Sequence, residues 1–179
     1  MPVWYHETYT EGINRSARFP RDRYRKLRER LNDLHGTGLI CIESPEPVDR
    51  DILLIAHEQD YVDRFLSGSL DAKEVRRIGL EPWTDAFLPR TMRIIGGAVE
   101  ALAHVTRFGG MAANMAGGTH HSHRSFGSGY CVFNDLAICA LLARDEYGYE
   151  RIAVLDLDVH QGDGTATILE GEEGIITIS

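Results

Sequence analysis

A chain of 179 residues, 43% hydrophobic and 26% charged, suits one compact α/β domain with a respectable core and argues against disorder or a membrane protein. The longest apolar run, Leu136 to Ala143, is far too short to span a bilayer, and no charged start with an apolar stretch behind it marks the N-terminus for export. A net charge of −8 and a pI near 5.4 disfavour nonspecific nucleic-acid binding, although a local basic patch stays open.

Three scattered cysteines, Cys41, Cys131 and Cys139, make neither a disulfide framework nor a Cys-x-x-Cys metal site. A reducing cytoplasm is the expected compartment.

Val3, Trp4 and Tyr5 read as a short first strand. From Pro20 to His35, Tyr24, Leu27, Leu31 and Leu34 recur at helical spacing, with Pro20 suited to the first turn and Gly36 to the end. The region also carries Arg15, Arg18, Arg21, Arg23, Arg25, Lys26, Arg28 and Arg30. They form either a docking surface for an acidic partner or a solvated face paired internally with Asp22, Glu29 and Asp33.

Leu39 to Ile42 reads as a strand, followed by a turn with Pro45 and Pro47. Arg50 to Leu66 has the spacing of one helix, in which His57 is read as a core or capping residue because no second donor accompanies it. Glu81 to Trp83 is a loop. A long helix is predicted over Ala86 to Phe108, and Gly96-Gly97 in its middle demands either a close neighbour or a bend.

Beyond this point strands and helices alternate: strand 111–116, polar loop 117–131, apolar helix 132–147, strand 151–157, a short helix around 163–169 and strand 174–178. Such alternation predicts right-handed βαβ units in a parallel sheet with helices on both faces. No repeat or linker divides 1–179, which reads as a single domain. The loops after neighbouring strands should gather on one edge of the sheet, where open α/β sheets place their sites.

Two polar clusters fall on that edge. After the apolar run Ile152 to Leu155 come Asp156, Asp158 and His160, then Gly162, Asp163 and Gly164. In an extended strand the first three share one face at ~6.6 Å intervals, so Asp158 and His160 can lean onto one metal ion while the glycines turn the chain sharply beside it. The competing reading is a helix cap followed by a solvated histidine. The second cluster is Gly117-Gly118-Thr119-His120-His121-Ser122-His123 with Gly127-Ser128-Gly129-Tyr130-Cys131. Neighbouring imidazoles there suit acid and base work, an exposed histidine loop being the bland alternative. Asp156 and Asp163 are the carboxylates able to orient them.

Taken together, Gly117 to His121, Gly129-Tyr130-Cys131 with Asn134-Asp135, and Asp156 to Gly164 resemble the zinc-dependent histone deacetylase family, in its bacterial or class IV-like and acetylpolyamine amidohydrolase branches. The resemblance covers the chain, most weakly before residue 90, and implies an arginase/deacetylase-like α/β fold. It implies zinc (Zn2+) on Asp158 and His160, His121 as general base and acid paired with Asp163, and His120 as its electrostatic partner paired with Asp156. Gly129 and Tyr130 would line a tunnel for an acylated lysine or polyamine-type substrate, with Cys131 and Asn134 at its floor. A monovalent cation such as K+ would sit on Asp156, Asp158, His160 and Ser179.

The third zinc ligand, an aspartate, and an oxyanion tyrosine are implied beyond Ser179. The chain is accordingly expected to be a truncated piece of a longer enzyme, weak in zinc binding and turnover on its own. Two other classes stay in view: a two-manganese ureohydrolase, which wants more bridging carboxylates, and a deacetylase-like protein that binds acylated ligands without hydrolysis.

Overall fold

The computed structural model describes residues 1–14 and 17–179. Arg15 of the predicted basic cluster lies outside the described residues, as does the side chain of Asp33. In chain order the elements are β1 (Pro2–Trp4), a 3-10 turn (Glu7–Thr10), α1 (Arg23–Gly36), β2 (Cys41–Glu43), α2 (Arg50–Leu54), α3 (Gln59–Leu66) and α4 (Ala72–Ile78). Then follow α5 (Phe87–Phe108), β3 (Ala113–Asn114), α6 (Asp135–Asp145), β4 (Ile152–Leu155), α7 (Asp163–Leu169) and β5 (Ile175–Ile178). The protein is α/β, and every strand pair among the described residues is parallel.

Two compact units form, each from two stretches of chain: Met1–Val48 with Leu80–Gly117, and Asp49–Gly79 with Gly118–Ser179. In the first, the strands run in the order β2-β1-β3. Helix α5 meets that sheet and the 3-10 turn, and the glycine pair is explained by close approach. A Cβ on Gly96 would run into the backbone of Glu46, and one on Gly97 into Tyr9 and Asn114. The Tyr9 hydroxyl donates to Asn114 at 2.9 Å, and Asn114 donates to the Ile94 carbonyl at 2.9 Å. These bonds tie helix, turn and strand together.

The second unit holds β4 and β5, paired from Ile152↔Ile175 to Leu155↔Ile178, with α6 and α7 against them. β3 ladders onto β1 and β4 onto β5, and among the described residues no ladder joins strands 111–116 and 151–157. Helix 50–66 is corrected, since it breaks between Leu54 and Gln59. The Glu58 N–H donates to the Arg124 carbonyl at 2.8 Å, a tertiary bond taken in place of a helical one. Helix α4 went unpredicted although its start carries a signal: Asp71 accepts from the Lys73 and Glu74 N–H groups while Glu74 accepts from Asp71 N–H, a capping box.

No described helix is long and apolar enough to cross a membrane.

Candidate active site

All the site residues named from sequence lie in the second unit. Strand β4 ends at Leu155, so the alternation proposed for Asp156, Asp158 and His160 fails. Asp156 Oδ1 accepts the Asp158 N–H at 3.0 Å, and Asp158 Oδ1 accepts the His160 N–H at 2.8 Å. Short acidic side chains that capture the N–H two residues on fold the chain into successive turns, and the pleat is lost. Asp158 and His160 are nonetheless brought together, Oδ1 lying 3.0 Å from Nδ1. The backbone bond from His160, followed by its imidazole, holds the Asp158 carboxyl below its ordinary range.

An oxygen and a nitrogen sharing one tetrahedral zinc at about 2.0–2.2 Å would stand roughly 3.3 Å apart, so the pair fits two corners of such a site. Among the described residues no three histidine, cysteine, aspartate or glutamate side chains converge on a metal position.

The histidine loop is held from behind by the start of α6. Buried Asp135 accepts the N–H groups of Gly118 (3.0 Å) and Thr119 (2.7 Å) and the Thr119 hydroxyl (2.5 Å). Asn134 caps α6 by accepting from Ala137 N–H, and its amide donates to the Ser122 carbonyl and to Thr165 Oγ1, each at 3.0 Å. The Ser122 hydroxyl donates to the Val132 carbonyl at 2.6 Å. Both ends of the loop are thereby clamped to one helix terminus.

Helix α7 presses on the loop's other side, where Thr165 N–H donates to the His120 carbonyl at 3.0 Å. Gly162 and Gly164 were expected to turn the chain, but neither has positive φ. They are needed for room: a Cβ on Gly162 would strike Asp156, and one on Gly164 would strike the backbone of His120, His121 and Ser122.

The result is two imidazole–carboxylate pairs side by side. His120 Nδ1 lies 2.6 Å from Asp156 Oδ2, and His121 Nδ1 lies 2.7 Å from Asp163 Oδ1. The two rings are 4.1 Å apart, and His121 stands 6.0 Å from the His160 ring. The inner pair is nearly enclosed, with side chains 7% and 10% exposed, while the Asp163 side chain is 53% exposed. Burial works to raise the Asp163 carboxyl, but bonds from His121 and from Gly164 N–H outweigh it and hold the group below its usual range.

Ser128 to Cys131 closes a tight turn, with Cys131 N–H donating to Ser128 O at 2.7 Å and Ser128 N–H to Cys131 O at 3.0 Å. Gly129 (φ 51°) and Tyr130 (φ 69°) at its centre are both left-handed, the signature of a type I′ turn. An aromatic residue pays strain there, and Tyr130 is held by its N–H bond to Ile78 O at 2.7 Å. Its ring rests against Gly79, while Gly129 abuts the His121 ring. Cys131 is buried, its thiol directed at Gly129 O. Ser179 joins the 156–162 loop, its hydroxyl accepting Gly162 N–H at 2.8 Å.

Sequence reasoning passed over Asp135's clamp, Ser122, Thr165 and the part played by His57. His57 is buried, as expected of a core residue, and it fixes Asn134. Its Nε2 accepts the Asn134 N–H at 2.9 Å, and its Nδ1 lies 2.9 Å from the His123 carbonyl. Accepting on one nitrogen and donating from the other requires the neutral ring. Burial accordingly pushes His57 down to about 4, against the opposing pull of the carbonyls of His123 and Arg124.

The folded value lies below the unfolded one, so this contribution is whole above pH 6.5 and lost as pH falls toward 4. With the group carried from its ordinary 6.5 down to about 4, it amounts to roughly 3 kcal/mol at most. Denaturant midpoints should fall from pH 7 to pH 5 more steeply in the native protein than in His57→Gln. Equal slopes would mean the imidazole is not what couples stability to acid here.

A model of the histone deacetylase domain matches residues 17–179. The chain is 40% identical over 182 aligned positions to an uncharacterized protein of Picosynechococcus, covering 100% of this chain and 59% of that one. It is 30% identical to the acetoin utilization protein AcuC of Staphylococcus aureus, over 77% of this chain and 37% of the relative. With the polyamine deacetylase HDAC10 of Mus musculus the identity is 29%, over 86% of this chain and 25% of the relative. The chain thus spans well under two thirds of the length of these relatives.

Proposed function

This chain belongs to the histone deacetylase domain family, and from that premise we propose that its histidine–aspartate cluster hydrolyses an acyl amide, removing acetyl from acetyl-lysine or a related acetylated amine. The observation that carries the reading is the pair of imidazole–carboxylate bonds, 2.6 and 2.7 Å, set 4.1 Å apart beside the Asp158–His160 donors. Two such pairs with unequal exposure suit a division of labour, in which one imidazole trades protons with the reactants and the other stays enclosed.

Asp158 and His160 would hold zinc, which when bound polarises an amide carbonyl and acidifies water. His121 engages Asp163 through Nδ1, leaving Nε2 to take the proton from the attacking water. The same ring then returns that proton to the departing amine as the C–N bond breaks. Asp163 keeps Nδ1 protonated and steadies the imidazolium between the two transfers. His120, enclosed with Asp156, supplies a second polarised imidazole at the cleft and is not the proton carrier.

Gly129, Tyr130 and Cys131 would line the acyl-chain path, and Gly129's missing Cβ leaves the His121 ring accessible. A monovalent cation on the 156–160 loop and Ser179 belongs to the same reading. So does a cytoplasmic setting, the three cysteines forming no disulfide. The murine relative's polyamine substrate widens the class to small acetylated amines.

The deciding assay supplies excess zinc, since two donors alone are expected to bind it weakly, and follows amine release from an acetyl-lysine peptide and from acetylputrescine. A hydroxamate serves as inhibitor control. Zinc-dependent, hydroxamate-sensitive release is expected, with one zinc per chain. Two manganese per chain would point to ureohydrolase chemistry, and binding of substrate without turnover to a binding protein; either defeats the proposal.

A further inference from the structure

We propose that the outer face of α1 docks an acidic, leucine-bearing amphipathic helix of a partner protein. The inference is independent of the hydrolytic reading. Seven of the chain's nineteen lysines and arginines fall within residues 18–30, against two of its twenty-seven aspartates and glutamates, in a chain whose net charge is −8. Charge opposite in sign to the rest is gathered on α1 and the residues leading into it.

Internal pairing accounts for only part of this cluster. Arg25 pairs with Asp22 and Glu29, and Arg21 with Asp22, while among the described side chains no ion pair engages Arg18, Lys26 or Arg30. Helical geometry brings Arg23, Lys26, Leu27, Arg30 and Leu34 within about 100° of one another around α1, with Glu29 outside that sector on one side and Tyr24 on the other. The sector holds no acid.

Its orientation is set from behind. Buried Tyr24 meets the Tyr9 ring edge-on at 5.9 Å, so α1 packs on the 3-10 turn through that side. The sector turned away stays open: Leu27 and Leu34 are 42% and 41% exposed, and Arg23, Lys26 and Arg30 are exposed. Arg23 is also preset, its guanidinium 4.4 Å from the centre of the Phe19 ring and donating to the Tyr24 hydroxyl at 2.7 Å.

Anchors spaced i, i+3, i+4 and i+7 are what one helix offers another, and three cations with no acid among them call for carboxylates on the partner. Partner leucines would pack on Leu27 and Leu34 while glutamates beside them reach the cations, as flanking charges do along a coiled coil. A polyphosphate would leave the leucines in water. A bilayer needs a broader apolar face than two part-exposed leucines provide.

The test uses the whole chain and a fluorescein-labelled peptide of three heptads, with leucine at a and d and glutamate at e and g, charges that keep it from pairing with itself. Anisotropy follows binding. Two control peptides carry lysine in place of glutamate, or serine in place of leucine, and phosphatidylserine vesicles are tested by cosedimentation. Lys26→Glu with Arg30→Glu reverses the charge of the face. Leu27→Ala with Leu34→Ala removes its apolar part and serves if the first variant folds poorly, circular dichroism checking both.

We expect the acidic leucine peptide to bind about tenfold or more tighter than either control, and to weaken as salt is raised. Lys26→Glu with Arg30→Glu should lose about tenfold or more for it and favour the lysine peptide instead. Equal binding of the serine peptide would mark a plain polyanion site, and binding to the vesicles alone a membrane surface; either overturns the proposal. So does an acidic leucine peptide that fails to bind, or that binds the folded variants unchanged.

Discussion

Gly164→Ala is expected to cost several kcal/mol of stability and at least a hundredfold in amide hydrolysis, although helix propensity alone predicts a gain of about 1 kcal/mol for this exchange inside α7. Geometry outweighs propensity because the new methyl would meet the carbonyl oxygens of Ser122 and His120 and the carbonyl carbon of His121, all main-chain atoms. A flexible side chain could swing away; these cannot. If α7 retreats, the Thr165 bond to the His120 carbonyl is lost, together with Thr165's contact with Asn134. If the loop retreats instead, the imidazoles leave Asp156 and Asp163.

Overpacking costs about 1–3 kcal/mol, and each lost bond roughly 1 more. A displacement of about 1 Å at reacting groups is worth on the order of a hundredfold in rate. Gly36→Ala is the control, since a Cβ there meets nothing within 4 Å, and it should be neutral or stabilising. Urea midpoints and kcat/KM for the two variants decide the matter. If Gly164→Ala behaves like Gly36→Ala, the contact between α7 and the loop is not tight.

The same contact shows where reading the sequence succeeds and where it stops. The bounds of α7 match the expectation over 163–169, because a glycine-flanked polar start followed by an apolar run is a local signal. Val132 and Phe133 looked like the first turn of α6, yet the helix begins at Asp135. Their apolar side chains are buried in the loop before it, and burial leaves no mark that separates loop from helix.

Motif order foretold that two imidazoles would meet two carboxylates, but no strand ladder among the described residues joins the segments before the two loops. What assembles the cluster is the hydrogen bonding of Asn134, Asp135, Ser122 and Thr165. Small polar residues have no period to detect. The bonds of His57 join residues 66 and 77 positions apart, a separation at which one sequence carries no pairing signal.

Asn134→Asp separates the two jobs of that asparagine. Aspartate caps a helix as well as asparagine does, so if capping Ala137 N–H were the whole role, the exchange would be neutral. The amide nitrogen's work argues otherwise. At 0% exposure, it donates to the Ser122 carbonyl and to Thr165 Oγ1; the Thr165 hydroxyl can donate to a carboxylate instead, but the Ser122 carbonyl would face acceptor lone pairs.

An uncompensated buried charge costs on the order of 3–5 kcal/mol. Asn134→Ala loses the cap and the bonds but brings no charge, so at pH 7 it should be the milder variant. Burial would raise the introduced carboxyl above its unfolded value near 3.9. The penalty is therefore full at high pH and shrinks as pH falls through the raised value, when the protonated acid regains a donor for Ser122. Measured against the native protein at each pH, the acid dependence of His57 cancels for Asn134→Ala, which keeps the backbone N–H that His57 accepts. In Asn134→Asp a carboxylate beside the ring favours the imidazolium and adds to the narrowing. Denaturant unfolding from pH 8 to pH 5 should show the Asp deficit narrowing while the Ala deficit stays level. A deficit under about 1 kcal/mol at pH 7 would reduce Asn134 to a helix cap and leave the histidine loop to be held by Asp135 and α7 alone.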